Sequence, residues 1–166
     1  MAERPWLLID VDGVLNPLVV ADGFDIHELT PLGWTRPPLQ VQLTPRHGEW
    51  INAMTDVFDL AWATTWEDSA NLMIGPIVGL PELPVVYVDF DAPRRVWGVC
   101  QKTPDVAAWV GRRPFAWMDD MISELDANWI REHADVGEFH LQSIDPLTGL
   151  TEADLAEVRA WGESLR

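Results

Sequence analysis

Cysteine, lysine and long apolar runs are all scarce in this chain of 166 residues. The single cysteine, Cys100, has no disulfide partner within the chain, and the four histidines (His27, His47, His133, His140) are scattered, so no Cys/His set has zinc spacing. No apolar run approaches the roughly 18 residues of a membrane span, and residues 1–6 lack the basic start and apolar core of a secretory leader. The expectation is a cytoplasmic protein with no membrane contact. Basic residues number 11 against 27 acidic ones, for a formal net charge of −16. A surface of that sign repels long polyanions, and the pairs Arg94, Arg95 and Arg112, Arg113 are too small for the basic patch of a nucleic-acid binder. They read as surface charges.

What is present is an ordinary globular composition, 48% hydrophobic and 23% charged. A chain of this length buries roughly 68–70% of its unfolded surface, enough for one core without disulfides or a structural metal. Residues 1–166 therefore read as a single domain, with no internal repeat, low-complexity tract or linker.

Apolar runs bounded by acidic or turn residues predict buried strands at Trp6–Ile9, 58–63, 85–88, 115–118 and Phe139–Ser143. Residues 17–44 are rich in Pro, Gly and Thr and alternate apolar with polar in Leu39–Leu43, the pattern of a hairpin flap. Thr44 followed by Pro45 predicts a helix start, as does Thr103 followed by Pro104. A helix over 67–74 is predicted to stop at Gly75-Pro76. A further helix spans 125–133, and Thr151-Glu152-Ala153-Asp154 opens the last one, with Leu155, Val158, Trp161 and Leu165 at helical spacing.

Strands alternating with helices predict an α/β, Rossmann-like fold: a parallel sheet with helices on both faces, a small hairpin flap and no large cap domain. Such sheets bind ligands at the carboxyl ends of their strands. Asp10 and Asp12 follow the first strand, Thr64 and Thr65 the second, and Asp119 and Asp120 the fourth of those expected, while Lys102, the only lysine in the chain, sits at a helix entrance.

The segment Leu7-Leu8-Ile9-Asp10-Val11-Asp12-Gly13-Val14-Leu15 resembles the first motif of the haloacid dehalogenase-like (HAD) phosphohydrolase superfamily. Thr64 resembles that family's Ser/Thr motif, Lys102 its lysine motif and Asp119-Asp120 its acidic motif, in the family's order. The likeness covers roughly 6–143. In Trp62-Ala63-Thr64-Thr65-Trp66-Glu67 and the 149–161 tail it is most similar to the HAD domain of Swiss-army-knife RNA-repair proteins and their stand-alone bacterial relatives.

Carboxylates at i and i+2 of an extended segment share a side, so Asp10 and Asp12 can address one reacting group. The resemblance implies that Asp10 is a nucleophile forming an aspartyl-phosphate and that Asp12 is the general acid and base. The family's dehalogenases lack the second Asp and its transport ATPases carry Thr there, so Asp12 points to phosphatase or phosphotransferase chemistry. Asp10, Asp12, Asp119 and Asp120 against Lys102 leave an excess of three negative charges, which calls for a cation; hard oxygen donors suit Mg²⁺. The resemblance implies ligation by Asp10 and Asp119, by the Asp12 carbonyl, and by Asp120 directly or through water.

Thr64 is expected to hold a phosphate oxygen, with Thr65 its rival. A lysine before a helix start opposes the helix dipole unless an anion lies between them, and a bound phosphate is the expected anion. Asn16 reads as a turn residue, Glu124 and Asp126 as solvated charges, and Trp66 as a ring at the crevice rim able to stack on substrate. Trp62, Trp109, Trp117 and Trp161 read as core.

The expected activity is Mg²⁺-dependent hydrolysis of a phosphate monoester. The expected partner is a phosphorylated small molecule or a nucleic-acid end. A 3′-phosphatase acting on nucleic-acid ends and a non-enzymatic scaffold with the same fold are the alternatives. The 47 residues of 17–63 leave room only for a flap, and the open crevice that results suits a chain end, whereas the net charge opposes long nucleic acid.

Overall fold

Along β1 (Trp6–Ile9), Leu7 and Ile9 point into one apolar layer and Leu8 into another, the period-two alternation of a strand buried on both faces. The protein, described here from a computed structural model, is defined over residues 3–91 and 96–166. After β1 come a hairpin of β2 (Asp25–Leu29) and β3 (Leu39–Leu43), then α1 (Pro45–Asn52), β4 (Asp59–Trp62), α2 (Gly75–Val78), α3 (Thr103–Val110), β5 (Phe115–Asp119), α4 (Glu124–His133), β6 (Phe139–Ser143) and α5 (Glu152–Ser164). The four strands β4-β1-β5-β6 form one all-parallel sheet, and β2 and β3 pair antiparallel beside it.

One face of the sheet packs Leu7, Ile9, Trp62 and Met118 against Ile51 of α1, Val78 of α2, and Leu155 and Val158 of α5. The other packs Leu8, Phe115 and Trp117 against Val106 and Val110 of α3 and Ile130 of α4. This is an α/β architecture with helices on both faces, consistent with a Rossmann-like domain, plus a small hairpin. Trp62 and Trp117 are fully buried, as expected, while Trp109 and Trp161 are only partly so. Among the described residues no helix is long and apolar enough to cross a membrane.

Three local expectations are corrected. Residues 85–88 do not form a strand: they make one parallel bridge, in which the Trp62 N–H donates to the Pro84 carbonyl and the Val86 N–H to the Trp62 carbonyl, both at 2.8 Å. The ladder ends there because the Val88 N–H turns to the Glu67 carboxylate at 3.2 Å. Gly75-Pro76 does not stop its helix. A π-helical turn at Ala70–Ile74 precedes it, and the wider turn accommodates a proline ring that would clash in a regular helix; the helix then runs on to Gly79, which ends it with φ +84°. Finally, Lys102 and not Thr103 stands at the N-cap position of α3, with no capping hydrogen bond from its side chain, and the Thr103 hydroxyl instead donates to Asp126 at 2.6 Å. Of the two expected arginine pairs, Arg94 and Arg95 lie outside the described residues.

Candidate active site

The parallel register carries three chain segments to one edge of the sheet. The Asp10 N–H continues the ladder beyond β1 by donating to the Met118 carbonyl at 3.2 Å, and the Ala63 N–H donates to the Ile9 carbonyl at 2.9 Å. Asp10, Ala63 and Asp119 thus emerge side by side at the carboxyl ends of β1, β4 and β5. Lys102 reaches them from the start of α3. Its Nζ lies 2.9 Å from Asp10 Oδ2, 2.5 Å from Asp119 Oδ2 and 3.1 Å from the Ala63 carbonyl, and all three side chains are buried.

One carboxylate oxygen each from Asp10, Asp119 and Asp120 lies within 4.8 Å of the others. The approach of Asp120 depends on Gly13, whose φ is +75° and whose missing side chain leaves the space the Asp120 carboxylate fills. Burial pushes the Asp10 carboxyl up to about 7, against the pull of Lys102 and with added repulsion from Asp119. Partial burial, then Asp119, raises Asp120 as well. Burial alone would lower the Lys102 ammonium, but Asp10 and Asp119 outweigh it and hold the group protonated. The neighbouring Cys100 thiol is pushed up to about 12 by burial and then by Asp119, which leaves it inert as a nucleophile.

This donor set fits a hard divalent cation. Three carboxylates face one ammonium, and Asp119 Oδ2, beyond its ion pair with Lys102, has no well-aligned hydrogen-bond donor.

The Asp12 carboxylate has partners of its own. β1 ends at Ile9, and Asp12 opens a turn in which the Gly13 N–H donates to the Asn16 carbonyl at 2.8 Å, so an extended i, i+2 geometry is not what orients the two acids. Its carboxylate instead accepts from the Asn16 side-chain amide at 2.8 Å and from the Trp66 indole N–H at 2.9 Å. Asn16 is therefore more than a turn residue. Trp66 is buried and bound to Asp12, not a stacking surface at the rim. Asn16 also accepts from the Gln42 N–H of β3, which ties the hairpin to the orientation of Asp12.

Thr64 directly follows the carbonyl that Lys102 contacts and is fully buried, its hydroxyl accepting from the Trp66 N–H at 3.3 Å, whereas Thr65 is exposed. Two residues on, Glu67 takes φ +48°, a left-handed conformation a side chain rarely adopts.

Asp10 and Asp119 already set negative charge against Lys102 at the helix start. Asp126 is not solvated: it is fully buried and accepts from the Cys100 N–H at 2.7 Å, the Thr103 hydroxyl at 2.6 Å and the Ser123 N–H at 2.8 Å. It thereby pins the turn that carries Lys102 to the helix following Asp119-Asp120. Glu124, by contrast, is exposed.

Comparison with family models, characterised proteins and solved structures finds no match.

Proposed function

We propose that this protein is a HAD-type, Mg²⁺-dependent phosphate monoester hydrolase with Asp10 as its nucleophile. The observation that carries this reading is the convergence of Asp10, Asp119 and Asp120 at one edge of a parallel sheet, with Lys102 bridging Asp10 and Asp119. Asp10, Asp119, Asp120 and the Asp12 carbonyl are the groups to hold the metal. When bound, Mg²⁺ supplies charge neutralisation for the phosphoryl oxygens next to these carboxylates.

Asp10 attacks phosphorus, the P–O ester bond breaks, and the leaving alkoxide takes a proton from Asp12. Water, giving its proton to Asp12, then cleaves the aspartyl-phosphate and releases phosphate. The hydrogen bonds from Asn16 and Trp66 keep Asp12 directed for both transfers. Lys102 neutralises Asp10 and Asp119 before substrate arrives and shares its charge with the phosphoryl group afterwards, while Thr64 offers a buried hydroxyl to a phosphate oxygen. The net charge of −16 favours small phosphate monoesters over long nucleic acids.

The test is phosphate release from a panel of small phosphate monoesters and a 3′-phosphorylated oligonucleotide, with Mg²⁺ and with EDTA. Turnover should require Mg²⁺, and Asp10→Asn should reduce it at least about a thousandfold, since an amide is a poor nucleophile. Wild-type rates from the folded Asp10→Asn variant would remove Asp10 from the mechanism. Turnover of the oligonucleotide alone, falling steeply with salt, would move the substrate class to nucleic-acid ends.

A further inference from the structure

At the opposite end of the sheet a cavity of about 560 Å³ opens beside the residues that enter β1, β4 and β5. Arg4, Arg112, Arg113 and Arg166 line it. Four of the ten arginines in an acidic chain thus gather around one opening. Val57, Pro114 and Leu165 give the same cavity an apolar wall. Its volume lies within the roughly 300–1,000 Å³ of small-molecule sites. It is separated from Asp10 by the length of β1, roughly 13 Å for four residues.

Two of the guanidinium groups are fixed in advance. Arg113 donates through Nε to the Arg4 carbonyl at 2.6 Å, pairs through Nη2 with Asp59 and stacks on Trp6 at 3.9 Å, which leaves its Nη1 donors outside those contacts. Arg4 donates to the Thr55 carbonyl at 2.5 Å and pairs with Asp59 at 3.2 Å. Arg4 is nonetheless exposed, as are the other two. Among the described residues Arg112 pairs with an equally exposed Asp135 at 3.0 Å, a contact worth little in water, and Arg166 donates to the Asp56 carbonyl at 2.6 Å. Against the four stand Glu3 in the lining and Asp59 and Asp135 as ion-pair partners, with Asp56 beside Arg166. Guanidinium groups beside an apolar wall match a planar carboxylate carried on an apolar body.

We propose that this cavity is a binding site for a small organic monocarboxylate. The acid group meets the exposed guanidinium groups of Arg112 and Arg166, and the apolar body lies on Val57, Pro114 and Leu165. The site is separate from the aspartate cluster and does not depend on the phosphatase reading.

The test titrates the ¹⁵N-labelled full chain, in metal-free buffer, with 4-phenylbutyrate, with its neutral amide and with butyrate. Phenylbutyrate should shift the Arg113 and Leu165 amides and the Trp6 indole saturably and leave the Asp10 and Asp119 amides in place. The amide, lacking charge, and butyrate, lacking the ring, should each bind about tenfold more weakly or worse. Arg112→Gln with Arg166→Gln, both at exposed positions where folding is not at stake, should weaken phenylbutyrate by at least about tenfold. Absence of saturable shifts, equal binding of the neutral amide, or unchanged affinity in the double variant overturns the proposal. So does a self-associating wild type that the double variant converts to monomer in sedimentation, since the occupant is then a second copy of the chain.

Discussion

Lys102 sets its ammonium against three oxygens at once, and two of them belong to buried carboxylates. Removing it leaves Asp10 and Asp119 facing each other without a counter-charge in a site shielded from water. Loss of one member of such a buried group costs about 3–5 kcal/mol. Lys102→Ala should therefore lower the unfolding free energy by about that amount in metal-free urea titrations, where a lone surface lysine would cost less than about 1 kcal/mol. A change inside the smaller limit would place the ammonium in solvent. Asp10 and Asp119 were legible in sequence because acids that terminate buried apolar strands need compensation, and a single lysine in an arginine-rich chain stood out beside them. The support of Asp12 was not legible. Asn16 is four residues away and Trp66 fifty-four, and neither a turn asparagine nor a tryptophan in an apolar context signals a carboxylate partner.

At the level of elements, α4 does more than pack. Ser123 and Asp126 form a capping box at its start, a local pattern, but the same Asp126 carboxylate also binds Cys100 and Thr103 at the head of α3. Those partners are 26 and 23 residues away, which is why sequence reasoning took Asp126 for a solvated charge. Only acceptors suit this position, because every neighbour is a donor. Asp126→Asn turns one oxygen into an NH₂ group facing N–H or O–H groups. It should cost about 2–3 kcal/mol in stability. In the folded fraction kcat/KM for the proposed phosphate release should fall as the Lys102 turn loosens. Glu124→Gln, on the exposed side of the same first turn, should stay within about 0.5 kcal/mol of wild type in the same urea titration. Equal effects of the two substitutions would deny Asp126 its linking role. The misread strand at 85–88 has a similar cause: β-branched residues predict pairing, but a side chain from another segment, Glu67, captures the Val88 N–H that the ladder required.

For the molecule as a whole, the aspartate cluster is a local concentration of the charge that already makes the chain −16. Asp10 titrates near 7 in the fold against 3.8 ordinarily, so its contribution to stability is fully present below pH 3.8 and is lost as pH rises through 7. Ionising Asp10 adds a third carboxylate charge against one ammonium, so the metal-free protein loses this part of its stability toward pH 8. A divalent cation that binds only the folded cluster restores it, because the cation takes the place of the proton. At a concentration a hundredfold above its dissociation constant the cation adds about 2.7 kcal/mol. For a chain of this size that is a rise of about 5–10 °C in Tm. Mg²⁺ should therefore raise Tm more at pH 8 than at pH 6, and NaCl at matched ionic strength should not reproduce the difference. Asp119→Ala removes one of the three carboxylates proposed to hold the cation and should abolish most of the increment. A Mg²⁺ effect of equal size at both pH values, or one that survives Asp119→Ala, would mean that the cation acts by screening the surface and that Asp10, Asp119 and Asp120 do not hold it.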